Sequence, residues 1–382
     1  MKDLKHLYFL TKIEGLGSVR IKRLIDKFGT AENVFGASAR EISSLENFSS
    51  KTAEMILASF KDFRGFDDEY SRFAERAEKL NVRILTLSDD DYPELLKKIY
   101  DPPVILYVRG NYKKGMLNNS IGIVGTRKPT DYGRKMTEQF ASELSSAGIA
   151  VVSGFARGID TVAHRAVLAN PAANAITAGV FGCGVDVIYP PENKGLYAEM
   201  LERGVLISEY EISAPPDAVN FPKRNRIVSG LTLGTIVIES DIDGGALITA
   251  RTALDQSREV FAVPGYITSK YSSGTNALIK NSQAKLVESI DDILVEITSG
   301  IESAELNLFS GAAAAPKKPA PVLSGNEKVI YDLISGENEP LHIDVISEKT
   351  GLNISDSLVT LLNLEFKGCV DQLAGKRFKV SS

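Results

Sequence analysis

Three cations, Lys223, Arg224 and Arg226, fall within four residues of the segment Asn220-Phe-Pro-Lys-Arg-Asn-Arg-Ile-Val-Ser-Gly230, yet the whole chain carries a net charge of -5. Cations concentrated in an acidic protein suit the focal binding of an anion. Two further basic turns flanked by glycine precede that segment, Gly125-Thr126-Arg127 and Gly154-Phe155-Ala156-Arg157-Gly158-Ile159-Asp160. Each is expected to leave a buried strand and enter a helix. Backbone amides and a helix N-terminus there favour negative charge, and an arginine can grip phosphate with a bidentate fork. Later loops repeat the pattern: Gly179-Val-Phe-Gly182-Cys183-Gly184 leads to Tyr189-Pro190 and Asn193-Lys194, and Asp243-Gly244-Gly245 opens another helix. A row of such loops along one sheet edge fits a polymer of phosphates better than a single nucleotide.

Within these loops Phe155 has two readings. It can stack on a base, as aromatic side chains do when single strands are held without sequence readout, or it can belong to the core beside a surface Arg157. Asp160 is placed to cap the helix that follows, and His164 reads as a structural histidine. Neither metal nor disulfide chemistry is supported, since the three histidines lack ligand spacing and Cys183 and Cys369 form no CxxC pair. The first loop could begin a dinucleotide fold, but GxGxxG is absent and no acidic residue between Leu144 and Ile159 is available for a ribose hydroxyl. No cofactor is expected. No nucleophile–His–acid set or carboxylate pair stands out, so the chain is not expected to be an enzyme.

The elements that must carry these loops are short β-branched runs alternating with helical patterns: 82–87, 104–108, 121–124, 150–152, 178–181, 205–208, 235–239 and 260–263. Nearly continuous apolar strands separated by helices predict an α/β fold, a Rossmann-like, doubly wound and mostly parallel sheet with ligands at its carboxyl ends. Residues 1–80 predict a small helical domain in which Gly15-Leu-Gly17 turns between helices like a helix-hairpin-helix, with Arg20, Lys22 and Arg23 nearby. That turn can receive a phosphate, or simply join two helices of a bundle. The α/β domain is expected over 81–298 and a linker over 299–325, which holds an alanine run and Pro316-Lys-Lys-Pro. Three helices and a hairpin over 326–382 predict a winged helix. From residue 325 onward six Lys or Arg face nine Asp or Glu, a net of -3, so this module is a poor stand-alone DNA binder and suits a protein contact. With 43% hydrophobic and 24% charged residues, no apolar run near the roughly 20 needed to cross a bilayer, and a charged N-terminus, the chain reads as globular and cytoplasmic.

At its loops the chain resembles the DprA/Smf family of bacterial DNA-processing proteins. The resemblance rests on Gly125-Thr-Arg127, Ser153-Gly154-Phe-Ala-Arg157-Gly158-Ile-Asp160 with Ala163-His164, Tyr189-Pro190 with Asn193-Lys194, Phe221-Pro222 through Arg226, and Gly244-Gly245-Ala246-Leu-Ile-Thr249. It is close over about residues 85–295. Thr126 stands where the family commonly has serine, and Asp243-Gly244-Gly245 departs from its usual Ser-Gly-Ser/Ala. The resemblance implies a single-stranded DNA-binding protein that protects incoming DNA in natural transformation. It also implies a homodimer that takes DNA from single-strand-binding protein and loads RecA recombinase onto it. By motif position, Arg127 and Lys194 lead the expected DNA contacts. Gly125, Thr126, Gly154, Phe155, Arg157, Gly158, Lys223, Arg224, Asn225, Arg226, Gly244 and Gly245 follow. Leu278, Ile279 and Leu286 are candidate dimer or RecA contacts, or helix core. The rivals are a nucleotide-cleaving phosphoribohydrolase, whose Pro-Gly-Gly-x-Gly-Thr signature is absent here, and a transcription regulator built on the winged helix.

Overall fold

The computed structural model describes residues 2–299, 325–336, 340–366, 369–373 and 377–380. They form two compact units, one on each side of the stretch between residues 299 and 325. The expected linker, apart from its end residues, and the expected hairpin turn at Ala374-Gly375 lie outside the described residues.

The first unit is organised by nine strands: β1 Arg83–Thr86, β2 Ile105–Gly110, β3 Ser120–Val124, β4 Ala150–Ser153, β5 Thr177–Phe181, β6 Val205–Ser208, β7 Gly234–Val237, β8 Glu259–Ala262 and β9 Lys285–Leu286. Their order in the sheet is β1-β2-β6-β5-β4-β3-β7-β8-β9. From β6 to β9 all neighbours are parallel. The chain runs outward from β3 through β4 to β6, then returns to lay β7 on the other side of β3, with Ile121 opposite Gly234 and Val124 opposite Val237. That reversal leaves a crevice at the carboxyl ends of β3 and β7, the place where open α/β sheets bind ligands.

Two departures from expectation concern the sheet edges. β1 and β2 pair antiparallel, with each other and with β6, because an apolar run states burial and not strand direction. β9 is an extra strand of two exposed residues, too short for any periodic signal.

Alternation along the strands feeds two apolar layers. Ile121, Ile123 and Val151 pack with Phe140 and Leu144 of the helix Asp131–Ser146, while Val124 and Val152 pack with Ile227 and Ala250 of the helices Asn220–Gly230 and Gly245–Asp255. The N-terminal helices do not form a separate core. Leu10, Ile21, Leu24 and Phe73 share one cluster with Val104, Tyr107 and Phe181 of the α/β part. Tyr8 stacks on Phe73 at 4.0 Å, its hydroxyl donates to Glu211, and Lys12 Nζ lies 2.6 Å from the same carboxylate.

The second unit holds the helices Asn326–Ser335, Ile343–Thr350 and Ile354–Phe366 with strands β10 Leu341–His342, β11 Val370–Leu373 and β12 Arg377–Val380 in the order β10-β12-β11. Ile330, Ile346, Leu361 and Phe378 form its core. Gly351 caps the second helix with φ 72°, a left-handed conformation that glycine adopts without strain.

Candidate functional site

β3 delivers the Gly125-Thr126-Arg127 turn to the crevice, and the turn is fastened on several sides. Thr126 N donates to the Glu239 carbonyl at 2.8 Å, and Thr126 O accepts from Ile159 N at 3.2 Å. Gly125 can only be glycine here, since a Cβ would stand 2.5 Å from the Ile159 side chain. Gly158 (φ 79°) lies so close that a Cβ would approach Thr126 O to 2.3 Å. On this fixed backbone Arg127 and Lys128 point outward and exposed, and among the described residues neither side chain has a hydrogen-bond or ion-pair partner. A held backbone with unneutralised cations is suited to meeting an anion.

The two cations border a groove of about 960 Å³ across the carboxyl ends of β3, β4 and β7, which also takes in Gly125, Thr126, Gly154, Asn225, Gly244 and Gly245. The opposite side brings Tyr189 and Phe221 into the same groove, their rings 5.3 Å apart and inclined by 37°. Tyr189 is 37% exposed. Phe221 fits only because Gly182 has no side chain, whose Cβ would meet the ring at 2.9 Å. Both aromatics fall within the sequence motifs, though neither is expected there as a stacking group. Their place beside prolines, in Tyr189-Pro190 and Phe221-Pro222, was the available signal.

Phe155 takes the second of its two readings, core, and its place among the DNA contacts is corrected. It is 1% exposed, held at φ 58°, and its ring stacks on Phe181 at 4.7 Å in the shared core. The helix Asn220–Gly230 splits the basic cluster by its own geometry. Residues three apart share a face, so Lys223 and Arg226 line a separate pocket of about 910 Å³ with Asp101 and Glu209. There Arg226 Nε is 2.8 Å from Asp101 and its Nη2 2.7 Å from Glu209. Burial alone would lower its pKa, but these two carboxylates hold it raised. Lys223 is exposed. Arg224 is 4% exposed and donates to the carbonyls of Gly154 and Val180. Burial lowers its pKa, opposed by the Asp160 carboxylate. Arg224 and Arg226 are therefore internal struts and not free contacts.

Asp160 does not cap its helix, which starts at Ile159 behind Gly158. It lies buried against Arg224, accepts from Ala156 N at 3.1 Å, and burial raises its pKa. Arg157 is bridged to Glu192 at 2.7 Å, both exposed. Lys194 begins the helix Lys194–Arg203 and is exposed, but it stands outside the groove that holds Arg127. His164 is the expected structural residue, with Nδ1 2.6 Å from Thr177 Oγ1.

The family described as DNA recombination-mediator protein A matches residues 83–298 of this sequence. Protein Smf of Synechocystis is 32% identical over 99% of this chain and 100% of its own length. The chain belongs to the DprA/Smf family. Within this DprA/Smf member, residues 314–376 match the DprA winged helix domain and residues 8–62 a SAM-like helix-hairpin-helix tandem. The X-ray structure of DNA processing protein A from Streptococcus pneumoniae superposes with a TM-score of 0.64 at 34% identity, covering 76% of this chain and 97% of that one. A structure of DNA processing protein A from Helicobacter pylori, described for its unique single-stranded DNA binding mode, superposes with a TM-score of 0.50 at 30% identity, covering 57% of this chain and 96% of that one.

In this DprA/Smf chain the hairpin cations near Gly15 and Gly17 are engaged internally. Arg20 donates to Gly15 O at 2.7 Å, Lys22 meets Asp26 at 2.6 Å, and Arg23 meets Glu46 at 3.0 Å. Gly17 and Ser18 also share a crevice with Glu209 and Glu211, poor company for a phosphate. Of the three residues offered as partner contacts, Leu278 is corrected to buried core and Ile279 is half-buried, while Leu286 is 41% exposed on edge strand β9.

Proposed function

We propose that this DprA/Smf member binds single-stranded DNA in the groove at the carboxyl ends of β3, β4 and β7. One observation carries the reading: unpartnered Arg127 and Lys128 share the groove with the Tyr189–Phe221 aromatic pair. Cations that track a backbone and rings that accept bases of any sequence are the two parts such binding needs. The Helicobacter pylori relative, characterised for its single-stranded DNA binding mode, supports it. On this reading the protein shields incoming DNA in natural transformation, receives it from single-strand-binding protein and passes it to RecA as a homodimer in the cytoplasm. It acts by binding and not by catalysis. The groove's Asp160 is enclosed against Arg224 and its Asp241 is tied to Lys270 at 3.0 Å, which leaves neither as a free acid or base. Among the described residues no helix is long and apolar enough to cross a membrane.

Fluorescence anisotropy with labelled single- and double-stranded oligonucleotides tests the reading. Tighter binding of the single strand, weakening linearly on a logarithmic salt scale, is expected. Equal affinity for both forms, or none for either, would reject it.

A further inference from the structure

We infer that Glu239 is the positioning residue of the Arg127 loop: its backbone carbonyl holds Thr126 and its buried carboxylate holds Thr130, which together set where the two free cations stand. The inference deepens the single-stranded DNA reading and takes the importance of Arg127 and Lys128 from it.

Glu239 follows β7, the strand beside β3, and is 2% exposed. Its backbone carbonyl receives Thr126 N at 2.8 Å. Its carboxylate receives Thr130 N at 2.9 Å and Thr130 Oγ1 at 2.5 Å. One residue thus holds the segment just before and just after Arg127, Lys128 and Pro129. Thr130 passes the constraint on by capping the helix Asp131–Ser146 through Gly133 N at 3.2 Å. Gly133 makes the arrangement possible, because a Cβ there would lie 2.2 Å from the carboxylate.

A carboxylate beside an anion site needs an explanation. Glu239 is absent from the groove lining, and both its oxygens are turned to donors. Its charge also complements the N-terminus of the helix that Thr130 caps. A glutamine keeps one acceptor oxygen and sets an NH2 group against the other Thr130 donor, and a shorter side chain removes both acceptors, so either change costs Thr130 a partner and lets the loop wander, spreading the positions of the cations and costing affinity.

The test uses the full chain with Glu239→Gln and Thr130→Val, and Thr130→Ser as the conservative control. Hydrogen exchange of peptides covering 125–130, thermal unfolding, and affinity for a labelled oligo-dT are measured, the last also in an Arg127→Ala/Lys128→Ala background. Glu239→Gln is expected to raise exchange in the loop and to weaken oligo-dT binding about tenfold, the loss of one charge-assisted hydrogen bond. That weakening should vanish when Arg127 and Lys128 are already alanine, and Thr130→Ser should bind like the wild type. If Glu239→Gln does not fold, Thr130→Val carries the same expectations with a smaller loss. Unchanged loop exchange, or an equal affinity loss in the background lacking both cations, would overturn the inference. Failure of the wild type to bind oligo-dT would reject the DNA reading alone, and loop exchange would still decide the positioning.

Discussion

The turn at Gly125–Lys128 and the helix Asn220–Gly230 both concentrate positive charge beside the same sheet edge, and the helix does so more densely. Among the described residues the turn nevertheless keeps both of its cations free, whereas of the helix's three only Lys223 lacks a partner, and it lines the pocket that holds Asp101 and Glu209. Arg127 and Lys128 stand on a loop fastened from beneath by backbone and carboxylate hydrogen bonds, with nothing drawn from the cations themselves. Arg224 and Arg226 give their donors to carbonyls and carboxylates of the protein. A cluster's value for binding therefore depends on what its element places within reach of each guanidinium. The N-terminal hairpin repeats the lesson, since Arg20, Lys22 and Arg23 are all engaged within the protein.

The contrast breaks most plainly at Arg224. Removing it strands the carbonyls of Gly154 and Val180 and leaves the Asp160 carboxylate buried without its cation. Arg224→Ala should therefore lower the unfolding free energy by about 3–5 kcal/mol in denaturant titration. A variant with wild-type stability and only weaker DNA binding would move Arg224 back among the contacts.

A smaller effect sharpens the buried side of the contrast. Burial, with the Arg224 charge added, pushes the His164 pKa down to about 3 from its ordinary 6.5. The unfolded chain then binds the proton more readily than the native one between these values, so this contribution is present above pH 6.5 and is lost as pH falls towards 3. At pH 4.5 the cost amounts to about 2–3 kcal/mol. Asp160, whose pKa burial raises, works in the opposite sense and trims the loss. His164→Gln should flatten the decline in stability between pH 7 and 4.5, measured by thermal unfolding. An unaltered slope would place the proton uptake elsewhere.

Much of this arrangement was legible in the sequence, and what was not has physical causes. Glycine-flanked turns after apolar runs marked the strand ends correctly, because a buried strand must shed its apolar pattern where it meets solvent. The winged helix was readable from three amphipathic runs and a Gly351 turn, and the family comparison bears it out. The antiparallel entry of β1 and β2 was not, since runs of like hydrophobicity carry no pairing direction. Nor was the fate of single side chains. Arg226 finds Asp101 from 125 positions away, and Phe155 lies in the core on a backbone with a left-handed φ that no neighbouring residue announces. Spacing reveals which residues share an element, while partners brought in by the fold decide which remain free.

One charge pattern thus has a free part and an internally paired part, and comparing them side by side separates the two. Affinity for a labelled oligo-dT is recorded against salt for the wild type, for Arg127→Ala/Lys128→Ala and for Arg226→Ala. The double variant should bind about 100-fold more weakly at low salt, with the slope of log K against log salt reduced by roughly 1.4, the share of two phosphate contacts on a single strand. Arg226→Ala should keep its slope and stay within about twofold of wild type, as expected of a cation engaged by Asp101 and Glu209 outside the groove. An equal loss in both variants, or a double variant that binds like the wild type, would contradict the account.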